Sequence, residues 1–406
     1  MSLHAHISLA DVPVGLLDRL DDGSVRFEFL DSYRNMRRRP VFGQYFTGKL
    51  DQPLVTQQSL PAFFANLLPE GALRRLIADS LGTRDHEDFR MLARIGEDLP
   101  GAVRVQLRGD ADPYTEPPGR LAGRLRFSLA GVQLKFSMAR DGKGLTLPAS
   151  GRGGDWILKL PDRDLDGVAE NEHMVMQWAQ HSGIEVPEFS LVTPSDCPDI
   201  DPRFFPEGTL GFACRRFDRP QPGLPHHIED FAQINGKYPQ EKYDEFIPLP
   251  QRLNYETIAR QIHVYCGAED LREFVRRLVF MVLSGNSDAH LKNWSLIYRD
   301  GRTARLSPAY DQVATVVYPG YGDELALPFN NSLDFTAVSL AGFRQLAQAL
   351  RLPDQEQVAA WAREDTDHIM AIWQDIRREL PFERLYPLDQ HHARLRDAPG
   401  SLLRPT

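Results

Sequence analysis

The segment Asp288-Ala-His290-Leu-Lys292-Asn293 places a carboxylate and a carboxamide five residues apart in one short polar loop, and a second carboxylate, Asp311, follows one hairpin later. A carboxylate can orient or deprotonate an attacking hydroxyl. A carboxamide oxygen and a second carboxylate are hard donors that suit Mg²⁺. Phosphoryl transfer needs this combination, because its catalysis is mostly positioning and charge neutralisation. The Asp288–Asn293 spacing is that of the protein-kinase loop HRDxxxxN, and Asp311 stands where the DFG aspartate stands. Either residue alone would be read as a loop cap. The three in order, around a hairpin, favour the chemical reading. His290 is open to two readings, a phosphate contact or a brace for the loop.

Lys159 lies within the apolar run Trp156-Ile-Leu-Lys159-Leu160. An ammonium facing a core is costly unless paired, whereas a kinase strand lysine binds the α/β-phosphates and pairs with a helix glutamate. Glu172 on the following helix is the first candidate partner and Glu170 the second. The competing placement is an edge strand with Lys159 turned to solvent. Neither GxGxxG nor GxxxxGK[ST] occurs. In the place of a phosphate loop stands Ser128-Leu-Ala130-Gly131-Val132-Gln133-Leu134-Lys135, whose small Ala130 and Gly131 would let backbone N–H groups approach an anion.

These groups must be held by an ordered series of elements. Residues 3–30 read as short strands around an Asp21-Asp22-Gly23 turn. Helical spacing follows over 60–68, is interrupted at Pro69-Glu70-Gly71, resumes to Ala78, and returns over 86–95 before a strand at 102–107. The proline-bearing stretch 110–120 reads as a linker. Strands are then expected at 127–138, 144–147 and 156–160, a helix over 168–181 ended by Gly183, and strands at 186–192 and 210–217. Leu271, Phe274, Val275, Leu278, Val279 and Val282 share one helical face, so a buried helix leads into the Asp288 loop. Strands at 294–298 and 303–306 form the hairpin. Beyond Tyr255 helices dominate apart from that hairpin, and residues 396–406 are expected to fray. Strands, one helix, strands and then helices is an α+β arrangement. The expected domains are 1–110 (a small α/β attachment), 120–217 (a strand-rich lobe) and 218–406 (a mostly helical lobe).

Composition sets outer limits. Lys+Arg of 47 against Asp+Glu of 56 gives a net charge of −9, which argues against a protein that coats nucleic acid. Arg34, Arg37, Arg38 and Arg39 form a local basic cluster best read as a solvated loop. Three cysteines, Cys197, Cys214 and Cys266, without a CxxC pair suit a reducing compartment. With no signal pattern at residues 1–10 and no apolar run long enough to span a bilayer, a cytoplasmic location without membrane contact is expected.

Taken together, the motifs resemble the HipA family of bacterial serine/threonine kinase toxins. The matching segments are Phe63-Phe64-Ala-Asn-Leu-Leu-Pro69-Glu-Gly71, Ser128 to Lys135, Ile157-Leu-Lys159-Leu-Pro161 and Arg216-Phe217-Asp218-Arg219. Glu229-Asp230-Phe231, Asp288 to Asn293 and Pro308-Ala-Tyr310-Asp311 complete the series in family order. The resemblance implies a two-lobed protein-kinase-like α+β fold with the small N-terminal attachment. It implies Asp288 as catalytic base, Asn293 and Asp311 as Mg²⁺ ligands, and Lys159 on the phosphates of ATP. Residues 130–135 would line the phosphate loop, and Arg215, Arg216 and Phe217 would form a hinge near adenine. His290, Lys292 and Tyr310 complete the implied nucleotide-binding set. Ser128 matches the serine that such kinases autophosphorylate, which ejects the loop and silences the enzyme.

The resemblance further implies a HipB-like helix-turn-helix antitoxin partner, contact with operator DNA mainly through that antitoxin, and a translation-related protein substrate such as an aminoacyl-tRNA synthetase. Two alternatives belong to other classes. One is a corepressor module with little catalysis, against which the intact Asp288, Asn293 and Asp311 argue. The other is a lipid or small-molecule kinase, against which the N-terminal attachment and the lack of a basic membrane-binding helix argue.

Overall fold

The computed structural model describes residues 2–80, 87–108, 135–142, 144–147, 154–162, 164–221, 223–398 and 400–404. The chain divides into two compact units. The first comprises Met1–Ala169, Glu188–Gln240 and Leu296–Thr303, and the second Glu170–Pro187, Glu241–Ser295 and Ala304–Thr406.

The first unit holds two antiparallel five-stranded sheets. One comprises β1 (Leu3–Leu9), β2 (Val12–Arg19), β3 (Val25–Phe29), β4 (Leu54–Thr56) and β5 (Val103–Leu107) in the order β4-β3-β2-β1-β5. Alternation explains its faces: Leu3, Ala5, Ile7 and Leu9 of β1 are buried while His4 and His6 are exposed. The other comprises β6 (Lys135–Asp141), β7 (Gly144–Thr146), β8 (Trp156–Lys159), β9 (Phe189–Val192) and β10 (Gly211–Arg215) in the order β7-β6-β8-β10-β9. Both sheets contribute to one apolar core that runs from Phe27, Phe42 and Phe64 to Phe136, Trp156 and Leu158.

A buried ionic cluster ties β10 to the turn before β5. Arg216 donates to Asp98 at 2.9 Å and to both Asp218 oxygens at 3.0 and 2.9 Å, while Gly101 N–H donates to Asp218 at 2.8 Å. Burial opposes these charges, yet the guanidinium is held above its ordinary value by Asp218 and Asp98. Burial likewise opposes the Asp218 carboxylate, which Arg216 and Arg219 hold below its ordinary range. A second buried group is Glu229, which accepts from Tyr298 Oη at 2.5 Å and from Gln44 N–H at 3.0 Å.

The second unit is mainly helical. The helix Ala268–Ser284 is its buried spine, and Trp178, Phe280 and Trp373 meet beside it, with Trp178 4.6 Å from Trp373 and 5.2 Å from Phe280 between ring centroids. Helices end with carbonyls that lack partners in the helix itself. Here His391 and His392 on Phe382–Asp397 reach Val282 O and Leu283 O, each at 2.7 Å. Burial lowers both imidazoles, His391 to about 4, so each is neutral and able to donate from Nε2.

The expected order of elements is present over the described residues, with differences that have local causes. The strand expected at 210–217 ends at Arg215, because Arg216 turns its guanidinium into the ionic cluster. A second hairpin, Glu324–Phe329 with Ser332–Asp334, joins the helices beyond Tyr255, where only one was expected. Its turn residues Asn330 and Asn331 have φ of 48° and 61°, the left-handed pair that a tight hairpin requires and that Asn tolerates. Within the tail expected to fray, the described residues 400–404 are anchored instead: Ser401 bridges Ser339, and Leu402 is buried. The expected linker at 110–120 and the first part of the strand expected at 127–138 lie outside the described residues.

Candidate active site

The helix Ala268–Ser284 delivers the Asp288 loop. Gly285 ends it at φ 65°, and a Cβ there would lie 2.4 Å from Val316, so only glycine allows this turn and this approach together. Within the loop the Asp288 carbonyl is a hub. It accepts from the backbone N–H of His290 at 2.8 Å and from Asn293 Nδ2 at 2.8 Å. The next carbonyl, Ala289 O, accepts from Tyr255 Oη at 3.0 Å and from Trp294 Nε1 at 3.2 Å. Bonding Asn293 through its nitrogen leaves its carboxamide oxygen as the atom that can face a cation. The Asp288 carboxylate is exposed, and one of its oxygens accepts a short hydrogen bond from the Tyr243 hydroxyl.

Asp311 is brought to this loop by staples on both sides. Before it, Tyr310 Oη donates to Lys292 O at 2.8 Å and pairs with Ser295 Oγ at 2.6 Å. After it, Thr315 Oγ1 accepts from Ser287 N–H at 2.6 Å and donates to Gly285 O at 3.0 Å. Asn171, fully buried in Val168–His181, holds Ala314 in both directions at 3.0 Å. Asp311 itself has φ 58°, a left-handed conformation that non-glycine residues adopt sparingly. Such conformations persist where the surroundings over-determine them, often at functional sites.

His290 is buried beneath this arrangement. Its ring meets Tyr243 edge to face at 5.1 Å. Burial lowers its pKa well below the ordinary value, Lys242 and Lys292 add to that, and Asp311 opposes it, so the imidazole is neutral at physiological pH. Its Nδ1 and the Asn286 Nδ2 are buried atoms without a hydrogen-bond partner among the described residues. Buried polar atoms are rarely left so. The donor set fits a Mg²⁺–phosphate group: Asn293 and Asp311 supply hard oxygens, and Lys242 and Lys292 supply positive charge nearby.

Several of the other predicted residues fall in the first unit. Lys159 ends β8, is 6% exposed, and lies opposite Lys135 of β6 in the strand register, with Lys135 7% exposed. The solvent-facing alternative for Lys159 is therefore ruled out. Residues directly opposite in a ladder share a face, so both side chains leave the sheet on the same side. Lys159 Nζ also lies 5.6 Å from the Phe212 ring centroid. Arg215 is exposed, but the Arg216 side chain is enclosed in the ionic cluster and its N–H donates to Asp155 O at 2.8 Å, so its polar groups serve the fold. Likewise the Tyr310 hydroxyl is engaged by the loop. Glu172 is buried in the second unit, and Glu170 there lies 4.0 Å from Arg384. Ser128, Ala130, Gly131, Val132, Gln133 and Leu134 lie outside the described residues.

Comparison with known proteins gives this geometry its context. Residues 5–106 match the HipA N-terminal domain, and residues 127–377 match the HipA-like C-terminal domain. The chain belongs to the HipA family of serine/threonine kinase toxins. It is 40% identical over 396 residues, 92% of each chain, to Y4dM of Sinorhizobium fredii, which carries a kinase name. It is 24% identical to the serine/threonine-protein kinase toxin HipA of Shewanella oneidensis over 73% of each chain. A solved structure of Shewanella oneidensis HipA with HipB and operator DNA shares its fold, with a TM-score of 0.75 at 21% identity over 98% of both chains. The HipA-like chain is thus a kinase with a kinase-like α+β fold. No helix among its described residues is long and apolar enough to cross a membrane.

Three residues of this HipA-family site escaped the sequence reading. Asn171 carried a signal, a carboxamide between Glu170 and Glu172 within a helical stretch. Tyr243 and Lys242 carried none, since they sit in an aperiodic loop.

Proposed function

We propose that this HipA-family chain transfers the terminal phosphoryl group of ATP to a serine or threonine of a protein, with Asp288 as base and Asn293 and Asp311 as ligands of Mg²⁺. The observation that carries this reading is the Tyr310–Lys292 hydrogen bond, because Tyr310 precedes Asp311 and Lys292 precedes Asn293. Bound Mg²⁺ would supply neutralisation of charge on the phosphate oxygens. The chain's own residues do the rest. Asp288 orients the acceptor hydroxyl and takes its proton, Asn293 and Asp311 present oxygens from a fixed loop, and neutral His290 braces that loop.

For the nucleotide, Lys159 and Lys135 are the proposed phosphate contacts, with residues 130–134 as the phosphate loop. Arg215 and Phe217 are the proposed hinge. In this reading Arg216 and Tyr310 act as supports, and Ser128 is an autophosphorylation site that silences the enzyme. As for partners, the relative solved with HipB and operator DNA supports a HipB-like helix-turn-helix antitoxin for this chain. The target would be a translation-related protein such as an aminoacyl-tRNA synthetase.

The deciding experiment incubates the purified chain with terminally labelled ATP, Mg²⁺ and bacterial lysate. Label should enter protein, and Asp288→Ala should abolish it by several orders of magnitude. Undiminished labelling by the variant would remove Asp288 from its role, and label confined to small molecules would remove the protein substrate.

A further inference from the structure

Tyr243 occupies a chemically loaded position. Its phenol O–H donates to an Asp288 carboxylate oxygen, the same hydrogen bond that an acceptor hydroxyl makes to its base. The phenol is not there by accident of a loose loop. Lys242 O accepts from Leu291 N–H at 3.1 Å, which joins the Tyr243 segment to the Asp288 loop. Asp244 is buried at φ 52° and accepts from Leu253 N–H at 2.8 Å. Arg252 straps the turn by donating to Ile247 O and Glu245 O, each at 2.7 Å. The ring edge packs on His290. Yet Tyr243 is itself only half-buried, and Asp288 is exposed, so both ends of this hydrogen bond lie where an incoming hydroxyl can reach them.

We propose that Tyr243 is an acceptor gate: its hydroxyl holds the place of the substrate hydroxyl on Asp288 and keeps water from it until a serine or threonine displaces the phenol. This inference rests on the kinase reading above. Its chemical meaning is a choice between two acceptors. In productive transfer the serine or threonine oxygen forms the new P–O bond, the bond between the terminal phosphorus and ADP breaks, and Asp288 takes the acceptor's proton. With water in the same place the products are ADP and inorganic phosphate. A phenol seated on Asp288 suppresses the second outcome, and because it is held by the fold it does so at little entropic cost.

The test compares wild type with Tyr243→Phe, which keeps the ring and removes the hydroxyl. Phosphate release from Mg-ATP is measured without acceptor, and label transfer is measured to myelin basic protein as a generic serine-bearing acceptor. Removing one hydrogen bond to a charged group should raise phosphate release about tenfold and shift the ratio of hydrolysis to transfer by a similar factor. Tyr243→Leu should behave alike, and thermal unfolding confirms that both variants are folded. Equal losses of hydrolysis and transfer would mean that Tyr243 merely packs the loop, and unchanged hydrolysis would also overturn the gate. Phosphotyrosine at position 243 in the wild type would overturn it too, since the phenol would then be an acceptor. If neither wild type nor variant releases phosphate or transfers label, the kinase reading falls together with the gate. An active wild type without a rise in the variant removes the gate alone.

Discussion

Tyr310 donates its hydroxyl hydrogen to the Lys292 carbonyl at 2.8 Å and pairs with Ser295 Oγ at 2.6 Å. One hydrogen bond thereby couples the residues preceding the two proposed metal ligands, Asp311 and Asn293, across a hairpin. Tyr310→Phe keeps the ring and deletes this coupling. Transfer should fall about ten- to a hundredfold, because small displacements of catalytic groups are costly. A titration of activity against Mg²⁺ should show a raised requirement, whereas a role confined to folding would leave that requirement unchanged.

Asp311 combines a charge with a left-handed backbone, and the two can be separated. Asparagine tolerates φ near 58°, so Asp311→Asn should remove activity while leaving thermal stability within a degree or two, in line with a near-zero conformational cost. Asp311→Ala should remove activity and also cost about 1 kcal/mol, read in urea unfolding. Equal stability of the two variants would show that the strain is absent.

Arg216 should prove a residue of the fold rather than of the site. Its side chain is 1% exposed between Asp98 and Asp218. Arg216→Met leaves two buried carboxylates with reduced compensation and should cost about 3–5 kcal/mol. Where the variant still folds, its affinity for ATP should remain within a few-fold of wild type in calorimetric titration. A large specific loss of ATP binding would restore Arg216 to the nucleotide set.

Glu229 predicts a pH dependence of stability. Burial pushes its carboxyl from an ordinary 4.5 up to about 8, against the hydrogen bonds from Tyr298 and Gln44. The native state then keeps a proton that the unfolded chain releases above about 4.5. Its contribution is fully present below that value and is lost as pH rises through about 8. Neighbouring His227, lowered by burial from 6.5 to about 4, runs the other way, with stability present above 6.5 and lost as pH falls. Urea unfolding between about pH 7 and about pH 8 therefore separates Glu229 from His227 below and from the Cys197 thiol, which burial raises from 9.0 to about 12, above. The decline in that window should flatten in Glu229→Gln, and an unchanged slope would assign it elsewhere.

Much of this protein was legible from local patterns. Alternation of Leu3, Ala5, Ile7 and Leu9 determines β1, and the apolar face of Leu271 to Val282 determines the helix that feeds the Asp288 loop, because side-chain periods of 2 and 3.6 are set within a few residues. The Asp288–Asn293 spacing is local in the same sense. The end of β10 at Arg215, the anchoring of Ser401 and the hairpin at Asn330-Asn331 were less legible, since each depends on a distant partner or on a turn lacking the usual glycine.

The sequence by itself determined which groups could do chemistry and placed them in order along the chain. Only the tertiary structure decided which neighbours each would meet: Tyr243 on Asp288, Tyr310 on Lys292, Asn171 on Ala314, Arg216 on Asp98. Those pairings span from 18 to 143 residues and lie in part on loops without period. A hydrogen bond across such a separation forms only when packed apolar surfaces have already brought its partners together, and no local spacing encodes that.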